Sequence, residues 1–436
     1  MCLHCSRFFK GRGLATHHRS CAAKNSPVQP PPLLGIDDSD ADADADDDLP
    51  SLADIFTAHR PTLHFIPKDG RHDFGRVLAA ELAQVAFKND LASWTRLLML
   101  PKCVLSVPKR AGKRNRGDNH SVKQLCAAWE QGQLKWLWTR NSRPAPGPRS
   151  PDSDSKRVLA SAIVHARQGR LGKACATLSS SGLAPNDEST AQKLLQKHPY
   201  ADPPVLIDTS NSEPLKLGAD FRLLGALTSF SKDVGTDGTN FRIQHLIDAN
   251  EASLPTPLMT RLRDVINLLL SGKAAIDTQR YLAGARLTAL SKPGGDIRPI
   301  AAGNIFRRLA SKCVCLLLQP RIRAVLGPFQ VGVACRRGAE EIVHETRDRI
   351  SRQWESADFT VLKIDFRNAF NCVSRQVLID ECQRHFPGLV PWVQWCYGSE
   401  SSLFYASDLQ SSVGVQQGDP FGPAVLSCSP CCCAQD

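Results

Sequence analysis

The sequence lacks long apolar runs and a secretory signal. Without such a signal, the oxidising compartment in which disulfides form is not expected. No stretch approaches the ~20 uninterrupted apolar residues that a membrane-spanning helix requires. The chain opens with Met-Cys-Leu-His-Cys, which is unlike the apolar core of a secretory signal. We therefore expect no membrane partner, and we expect the 16 cysteines to be reduced thiols or metal ligands.

Acidic residues are scarce outside one segment of the chain. Lys and Arg number 54 and Asp and Glu 43, a formal charge of +11, yet eight of the acids are aspartates between Asp37 and Asp48. The remainder of the chain is therefore more cationic than its total charge indicates. Such a surplus favours polyanionic partners such as nucleic acid.

Potential zinc ligands occur together near the start of the chain. Cys2 and Cys5 are separated by two residues, and His17 and Cys21 are four apart, so that on a helix these last two share one face. Eleven residues separate Cys5 from His17, and His18 is the alternative that gives twelve but shortens the step to Cys21. The spacing predicts a small ββα zinc finger over 1–22, with Cys2, Cys5, His17 and Cys21 as Zn²⁺ ligands.

The segments after the finger alternate between linkers and helices. Residues 23–50 combine a proline run with the Asp-rich tract, and 141–156 are rich in Pro, Ser and Arg, so both are predicted to be linkers. Apolar spacing predicts helical regions over 51–140 and 157–218. Within the first of them, a cluster without acids predicts contact with a phosphate backbone: Lys102, Lys109, Arg110, Lys113, Arg114 and Arg116.

Two short strands are predicted at 286–290 and 297–301. The Pro-Gly-Gly between them is a strong turn signal, and it places Lys292 at the turn and Arg298 on the return strand. A helix over 306–318 is expected to follow, with Arg307, Arg308 and Lys312 on its polar side.

Further elements are predicted towards the end of the chain. Phe359–Asp365 is rich in β-forming residues and ends in a carboxylate, and a helix is expected to start at Asn368 and to run through Cys382. A second hairpin is predicted from 402–406 and 411–415. Three glycines and two prolines then indicate a tight loop over 414–423, before another helix.

In order, the sequence blocks of this half resemble those of the reverse transcriptases of LINE-type (non-long-terminal-repeat) retrotransposons. The blocks are 233–246 (DVGTDGTNFRIQHL), 292–300 (KPGGDIRPI), 330–338 (QVGVACRRG), 364–371 (IDFRNAFN) and 416–420 (QQGDP). They belong to a region of about 219–427. The zinc finger also looks like the amino-terminal half of such elements. The resemblance implies an RNA-directed DNA polymerase.

The resemblance implies a catalytic role for Asp365. This residue matches the first carboxylate of the polymerase palm, which holds two Mg²⁺ ions together with a later carboxylate pair. The main-chain oxygen of Phe366 would be an auxiliary ligand. Phe370 matches the bulky side chain that excludes a ribose 2′-hydroxyl and so selects deoxynucleotides.

Four further residues match nucleotide-binding positions of the family. Lys292 and Arg298 match residues of the fingers that grip the incoming triphosphate. Gln417 and Gly418 match the loop that positions the nucleotide paired to the template. The resemblance therefore implies deoxynucleoside triphosphates, an RNA template and a DNA target or primer as partners.

The second catalytic motif of the family, an aromatic-x-Asp-Asp turn, is absent from these 436 residues, and no endonuclease motif is visible. One carboxylate in place of three would not hold two cations against their mutual repulsion. The composition also changes abruptly into a Cys-rich tail over 428–436. We therefore expect a truncated, catalytically incomplete fragment; the alternative is a zinc-finger nucleic-acid-binding protein without polymerase activity.

The expected architecture is α+β. It consists of a partial right-hand polymerase over 219–427, with fingers and an incomplete palm, preceded by helices and the zinc finger. Nuclear localisation is expected from the family's need to reach chromosomal DNA, with the cytoplasm as a second location.

Overall fold

The computed structural model describes residues 49–107, 120–140, 151–167, 169–231, 234–251, 257–292, 294–327, 330–355, 360, 362, 364, 366, 368–405 and 408–428, with 151–154 and 408 described by their main chain only. The chain divides into two compact units, Met1–Asp47 and Asp48–Asp436, and all described residues belong to the second. The zinc finger predicted over 1–22 and nearly all of the linker predicted over 23–50 lie outside the described residues.

Helices dominate the described chain. In chain order the α-helices are α1 (Leu52–Thr57), α2 (Arg71–Lys88), α3 (Leu91–Val104), α4 (Val122–Glu130), α5 (Leu134–Thr139), α6 (Pro151–Arg167), α7 (Leu171–Leu178), α8 (Glu188–Gln196), α9 (Leu223–Thr228), α10 (Ile243–Asn250), α11 (Leu258–Leu270), α12 (Ile276–Leu282), α13 (Ile305–Leu317), α14 (Gln319–Leu326), α15 (Gly338–Gln353), α16 (Ala369–Cys372), α17 (Arg375–His385), α18 (Val390–Tyr397) and α19 (Gly422–Cys428). Short 3₁₀ helices lie at Lys68–Gly70 and Pro387–Leu389. No helix within the described ranges is long and apolar enough to cross a membrane.

Four strands form one small sheet. They are β1 (Ala285–Ser291), β2 (Ile297–Gly303), β3 (Ser401–Phe404) and β4 (Asp408–Ser411), in the order β2-β1-β3-β4. Neighbouring strands are antiparallel except β1 and β3, which are parallel and pair at Ala285 and Arg286. At the other end of β1, Leu183 pairs antiparallel with Leu290. The described fold is therefore α+β, as predicted.

Helix α2 forms where the apolar spacing predicted a helix. Phe74, Leu78, Leu82 and Val85 follow one another at intervals of three and four residues and are all buried. The helix ends at Asn89, whose positive φ of 49° and main-chain hydrogen bond to Val85 form a left-handed cap.

The core has two parts. A large apolar cluster joins helices from α1 to α19, and a smaller one lies against one face of the sheet, where Leu194 of α8 packs with Leu287, Ile297 and Leu403. Alternation along β1 and β2 buries one face and leaves residues such as Arg298 exposed on the other. Helix α8 covers that face, and on the opposite face Phe404 of β3 is buried against Phe56 of α1 and Tyr281 of α12.

The first hairpin matches its prediction, but the second does not. Its return strand β4 lies at Asp408–Ser411, not at 411–415. The main chain of 413–415 is bound elsewhere: the N–H of Gly414 donates to Val373 and that of Val415 to Phe370, at 3.0 and 2.6 Å. These bonds take the donors that a longer strand would need.

Two other segments differ from their predictions. The single helix expected from Asn368 to Cys382 is divided into α16 and α17, because Val373 is extended and Ser374 caps α17 by accepting the N–H of Val377. Helix α6 begins at Pro151, inside the linker predicted over 141–156. Proline at the first helical position and acids in the first turn favour a helix start there.

Candidate functional site

Lys292 lies at the turn of the β1–β2 hairpin, beside an acid. Its main-chain N–H donates to the oxygen of Asp296 at 2.8 Å, and its Nζ lies 3.8 Å from Asp296 Oδ2. The Nζ of Lys197 lies 3.0 Å from Oδ1 of the same carboxylate, and its hydrogen bond lowers the pKa of Asp296. Two lysines around one carboxylate leave the turn with a positive net charge.

Arg298 is exposed on β2. The alternation of side chains places it on the same face of the hairpin as Arg286. Its guanidinium makes no hydrogen bond or ion pair with another described residue. An exposed arginine of this kind offers a planar set of donors to a phosphate.

The loop between β4 and α19 packs against the base of this hairpin. Gln416 is buried, and its Nε2 donates to the main-chain oxygens of Ala283 and Gly284 at 2.9 and 2.8 Å. Gly418 lies so close to β2 that a Cβ there would be 2.4 Å from the oxygen of Ala301. The packing thus fixes the loop on both sides of Gln417, whose own side chain is exposed.

A buried ion pair anchors the loop from below. Nη2 of Arg307 lies 3.2 Å from Oδ2 of Asp419, and both side chains are almost fully buried. Arg307 also donates to the oxygen of Ala283. Burial raises the pKa of Tyr397, so its hydroxyl keeps its proton and donates to Asp419 at 3.3 Å. The prediction that Arg307 lies on the polar side of its helix is therefore wrong: it joins the loop to α13.

Arg375 is another buried cation that fixes the main chain near the loop. It donates to the oxygens of Ser399, Ser411 and Gly414, at 2.8, 2.9 and 3.3 Å. Burial lowers the pKa of Arg375 to about 10. Three carbonyl oxygens offset the loss of hydration, so this arginine has a structural role.

Asn368 connects the block around Asp365 to the hairpin turn. Its Nδ2 donates to the main-chain oxygen of Lys197 at 2.8 Å, and the side chain of Lys197 binds Asp296 in the turn. Asn368 has a φ of 57°, a left-handed conformation that asparagine tolerates better than most residues. Asp365 itself, three residues before it, lies outside the described residues.

Two phenylalanines in this block differ in burial. The side chain of Phe366 is 52% exposed. Phe370 is half-buried, its main-chain oxygen accepts the N–H of Val415, and its ring would lie 3.8 Å from a Cβ on Gly422. Phe370 is therefore hydrogen-bonded to the start of the loop that contains Gln417 and Gly418, and its ring lies near Gly422 at the end of that loop.

The first block is joined to helix α13. Asp237 is buried, accepts a hydrogen bond from Asn304 at 2.7 Å, and has a pKa raised by burial. Asn304 caps α13 by accepting the N–H of Phe306. Arg308 in the same helix donates to the oxygen of Gly235 at 2.8 Å. The block over 233–246 thus meets the end of the hairpin.

Lys102 departs from its predicted role as a phosphate contact. Its side chain is fully buried, and Nζ donates to the main-chain oxygens of Ile55 and Ala58, the latter at 2.6 Å. Burial lowers the pKa of Lys102 to about 7. A lysine enclosed in this way cannot reach a phosphate backbone. The other members of the predicted cluster, Lys109, Arg110, Lys113, Arg114 and Arg116, lie outside the described residues.

The metal ligands predicted from the sequence also lie outside the described residues: Cys2, Cys5, His17 and Cys21 for zinc and Asp365 for magnesium. Within the described ranges, no group of three or more His, Cys, Asp or Glu side chains could hold a metal ion.

Sequence reasoning missed the buried polar residues that support the loop. One signal was available for Arg307, because Arg307, Ala310 and Val314 follow a spacing of three and four residues and share one helix face. Ala310 and Val314 are apolar, so a basic residue in line with them indicates a buried cation. Gln416 and Tyr397 carry no comparable local signal.

Comparison with known proteins gives one informative relationship. No family model matches the chain. The chain is similar to the retrotransposable element SLACS 132 kDa protein of Trypanosoma brucei gambiense, with 25% identity over 183 residues. That match covers 40% of this chain and 15% of the SLACS protein. The chain is thus related at a distance to a retrotransposable element protein.

Proposed function

We propose that this chain is the reverse-transcriptase-like part of a LINE-type retroelement protein, and that its 436 residues bind nucleic acid without polymerising DNA on their own. The contact between the hairpin and the 414–422 loop carries the proposal. Gly418 lies against Ala301, and Gln416 binds the main chain before β1. Two blocks that resemble the polymerase family are therefore neighbours in space, although they are distant in sequence.

The surface around this contact suits a nucleotide. Arg298 is exposed and Lys292 is half-buried at a positively charged turn, so both can bind phosphate oxygens. Gln417 is presented to solvent by its buried neighbours. We assign the grip on an incoming deoxynucleoside triphosphate to Lys292 and Arg298, and the positioning of the template-paired base to Gln417 and Gly418.

Phe366 and Phe370 complete the proposed nucleotide site. Phe370 would contact the sugar of the nucleotide, and the main-chain oxygen of Phe366 would be an auxiliary ligand to any Mg²⁺ that the nucleotide brings.

The donor set does not fit a two-Mg²⁺ centre. Two cations need several carboxylates close together to offset their repulsion. Of the family's carboxylates this chain supplies Asp365 alone. We therefore propose binding of template RNA and of the DNA target or primer, and we derive no polymerisation step.

The amino-terminal part would add further nucleic-acid contacts. Cys2, Cys5, His17 and Cys21 have the donor chemistry of a zinc site, and the basic residues over 109–116 would bind phosphates. A nuclear location would bring these surfaces to chromosomal DNA.

Primer extension and binding assays on the full chain test the proposal. We expect tight, salt-dependent binding of an RNA–DNA template–primer in fluorescence anisotropy, and no extension when deoxynucleotides and Mg²⁺ are added. Extension that Asp365→Asn abolishes would contradict the inactivity. Failure to bind any nucleic acid at low salt would contradict the function as a whole.

The second candidate function is a zinc-finger nucleic-acid-binding protein whose palm-like half is only a scaffold. The lone carboxylate among the polymerase motifs favours it. The two functions differ in the effect of Cys5→Ser: in the scaffold case this change removes most of the binding. In the polymerase-like case, Arg298→Ala also weakens deoxynucleotide-dependent binding of the template–primer.

A further inference from the structure

A cavity of about 430 Å³ lies at the start of helix α10 (Ile243–Asn250). Its lining includes Phe65, Phe230, Arg170 and Arg242. None of the six residues proposed above as nucleotide-binding lines this cavity. The cavity is therefore a second feature, separate from the hairpin and its loop.

Arg242 brings an incompletely bonded cation to the cavity. Its Nε is shut off from solvent and meets no hydrogen-bond partner among the described residues. Burial lowers the pKa of Arg242, but an arginine stays charged in a protein. Glu251, an acid in the lining, is bound by Arg71 with 2.7 Å between Oε2 and Nη1, but Arg71 also binds Asp248 at 2.9 Å, so the charge of Glu251 is offset only in part. Because Nε is closed to any ligand, an anion in the cavity would be held by the two outer guanidinium nitrogens, which make no hydrogen bond or ion pair with another described residue.

The start of α10 adds to the positive potential. Ile243 and Gln244 line the cavity, and the first amides of a helix have no carbonyl partner within the helix. His245 fixes this start: its Nδ1 accepts the N–H of Arg242 at 3.3 Å, and its Nε2 donates to Leu63 at 2.7 Å. Burial lowers the pKa of His245 to about 3, so the ring is neutral and does not compete for an anion. A helix start beside an arginine is a common phosphate site.

Aromatic rings form another part of the lining. Phe65 is 62% exposed although it is large and apolar. Phe230 is held by two cations, with Arg308 Cζ and Lys312 Nζ 5.9 and 5.8 Å from the ring centre. Inorganic phosphate has no apolar surface that could pack against an exposed phenylalanine. A nucleobase does have such a surface, because it stacks on aromatic rings.

We propose that this cavity binds one nucleotide unit, with its phosphate at Arg242 and the start of α10 and its base against Phe65. The unit is either a free nucleoside monophosphate or one residue of a single-stranded nucleic acid. If the unit is a free nucleoside monophosphate, this inference does not depend on the proposed nucleic-acid function. If it is one residue of a nucleic acid, the inference rests on that function and adds a binding site that is remote in sequence from the hairpin.

Isothermal titration calorimetry on the full chain tests the proposal, with uridine 5′-monophosphate, inorganic phosphate and a twelve-residue oligouridylate as probes. Arg242→Gln should weaken binding of the nucleotide or of the oligonucleotide by about tenfold or more, because it removes charge-assisted hydrogen bonds. Phe65→Ala should weaken it by about five- to a hundredfold because the base no longer stacks.

Matched controls separate the site from general effects. Arg261→Gln removes an arginine whose side chain is 45% exposed and paired with Asp264, and Phe87→Ala removes a phenylalanine that is 88% exposed. Neither residue lines the cavity, and neither change should alter binding. Because Phe65 is exposed, Phe65→Ala should fold even if Arg242→Gln does not.

The possible results divide clearly. Binding of the monophosphate that both variants weaken supports a free nucleotide. Binding of the oligouridylate but not of the monophosphate supports a polymer, provided that both variants weaken it. Binding that Phe65→Ala leaves unchanged, equal binding of inorganic phosphate, or no binding of any probe overturns the proposal. If template–primer binding persists in those cases, the proposed function stands without this site.

Discussion

The ammonium group of Lys102 lies inside the protein, held by two main-chain oxygens, and this position predicts a pH effect. The folded-state pKa is about 7, below the 10.5 of an exposed lysine, because burial disfavours the charge. Between these values the unfolded chain holds a proton that the folded chain lacks. The free energy of unfolding of the wild type, relative to Lys102→Met, should therefore rise by about 1.4 kcal/mol per pH unit from about pH 7 to 10.

Urea unfolding of both proteins across that range measures the difference. Cysteines and tyrosines titrate in both proteins alike, so their contributions cancel. Below about pH 7 the lysine is protonated in both states, and the difference should level off. A difference that is flat across the whole range would show that Lys102 is not buried in this way.

Arg307 and Asp419 form the buried ion pair below the loop, and removing one partner should be costly. Arg307→Met or Asp419→Asn should each lower the free energy of unfolding by about 3–5 kcal/mol, because a charge or a desolvated polar group is left unpaired. The double variant should lose less than the sum of the two. Chemical denaturation of the wild type, the two single variants and the double variant gives the coupling free energy between Arg307 and Asp419.

An exposed pair on α15 provides the control for that cycle. Arg349 and Glu345 lie 2.7 Å apart and are both more than half exposed. Arg349→Met should change the free energy of unfolding by less than about 1 kcal/mol. Equal effects of Arg307→Met and Arg349→Met would mean that the Arg307–Asp419 pair is not buried.

At the scale of elements, one glycine decides how closely the loop approaches the sheet. A Cβ at position 418 would lie 2.4 Å from the oxygen of Ala301, a main-chain atom that cannot turn away. Gly418→Ala should therefore lower the free energy of unfolding by about 1–3 kcal/mol and displace the loop.

Helix α7 offers a glycine of the opposite kind. A Cβ on Gly172 would meet nothing within 4 Å. Gly172→Ala should raise the free energy of unfolding by up to about 1 kcal/mol, since alanine favours the helix. Thermal unfolding of both variants measures the two changes in stability. If Gly418→Ala left the stability unchanged, this result would argue against the loop–sheet contact.

Elements defined by local signals were the ones that the sequence predicted well. The first hairpin follows from alternation around Pro-Gly-Gly, and α2 from its spacing of three and four residues. The division of the 368–382 helix could have been read from Ser374, a residue that caps helices by a local hydrogen bond. The position of β4 could not, because the partners of Gly414 and Val415 lie in a different segment of the chain.

For the whole molecule, the strongest prediction concerns salt. Replacing Lys109, Arg110, Lys113, Arg114 and Arg116 by glutamine should reduce the salt dependence of duplex DNA binding. The slope of log K against log salt should fall in magnitude by up to about 4–5, or roughly 0.9 for each phosphate that the protein no longer neutralises. Fluorescence anisotropy between low and moderate salt gives the slopes.

The buried Lys102 supplies a matched control for this series. Lys102→Met removes a basic residue from the same stretch of sequence, but its side chain does not reach the surface. Its slope should equal that of the wild type. If the variant with all five residues replaced by glutamine kept the wild-type slope of log K against log salt, the phosphate-binding residues would lie in another part of the chain.

The candidate site depends on contacts between distant segments, and these limit what sequence alone predicts. The resemblance to the polymerase family selected Arg298, Gln417 and Gly418 as candidates, and their roles remain predictions. They did not indicate that Asp419 meets Arg307 or that Asn368 meets Lys197, since both contacts depend on how whole segments pack. The placement of Lys102 failed for the same reason: its neighbours, Ile55 and Ala58, come from α1 and its end.

The strand order also has a consequence during synthesis. The ribosome makes β3 about 110 residues after β1, which at ~5–20 residues per second is a delay of roughly 5–20 s. In that interval β1 has an edge without its parallel neighbour, and free edges invite aggregation. Residues 182–184 are made earlier and already pair with the far end of β1. Until β3 is made, the edge of β1 is therefore unpaired only at its Ala285–Arg286 end.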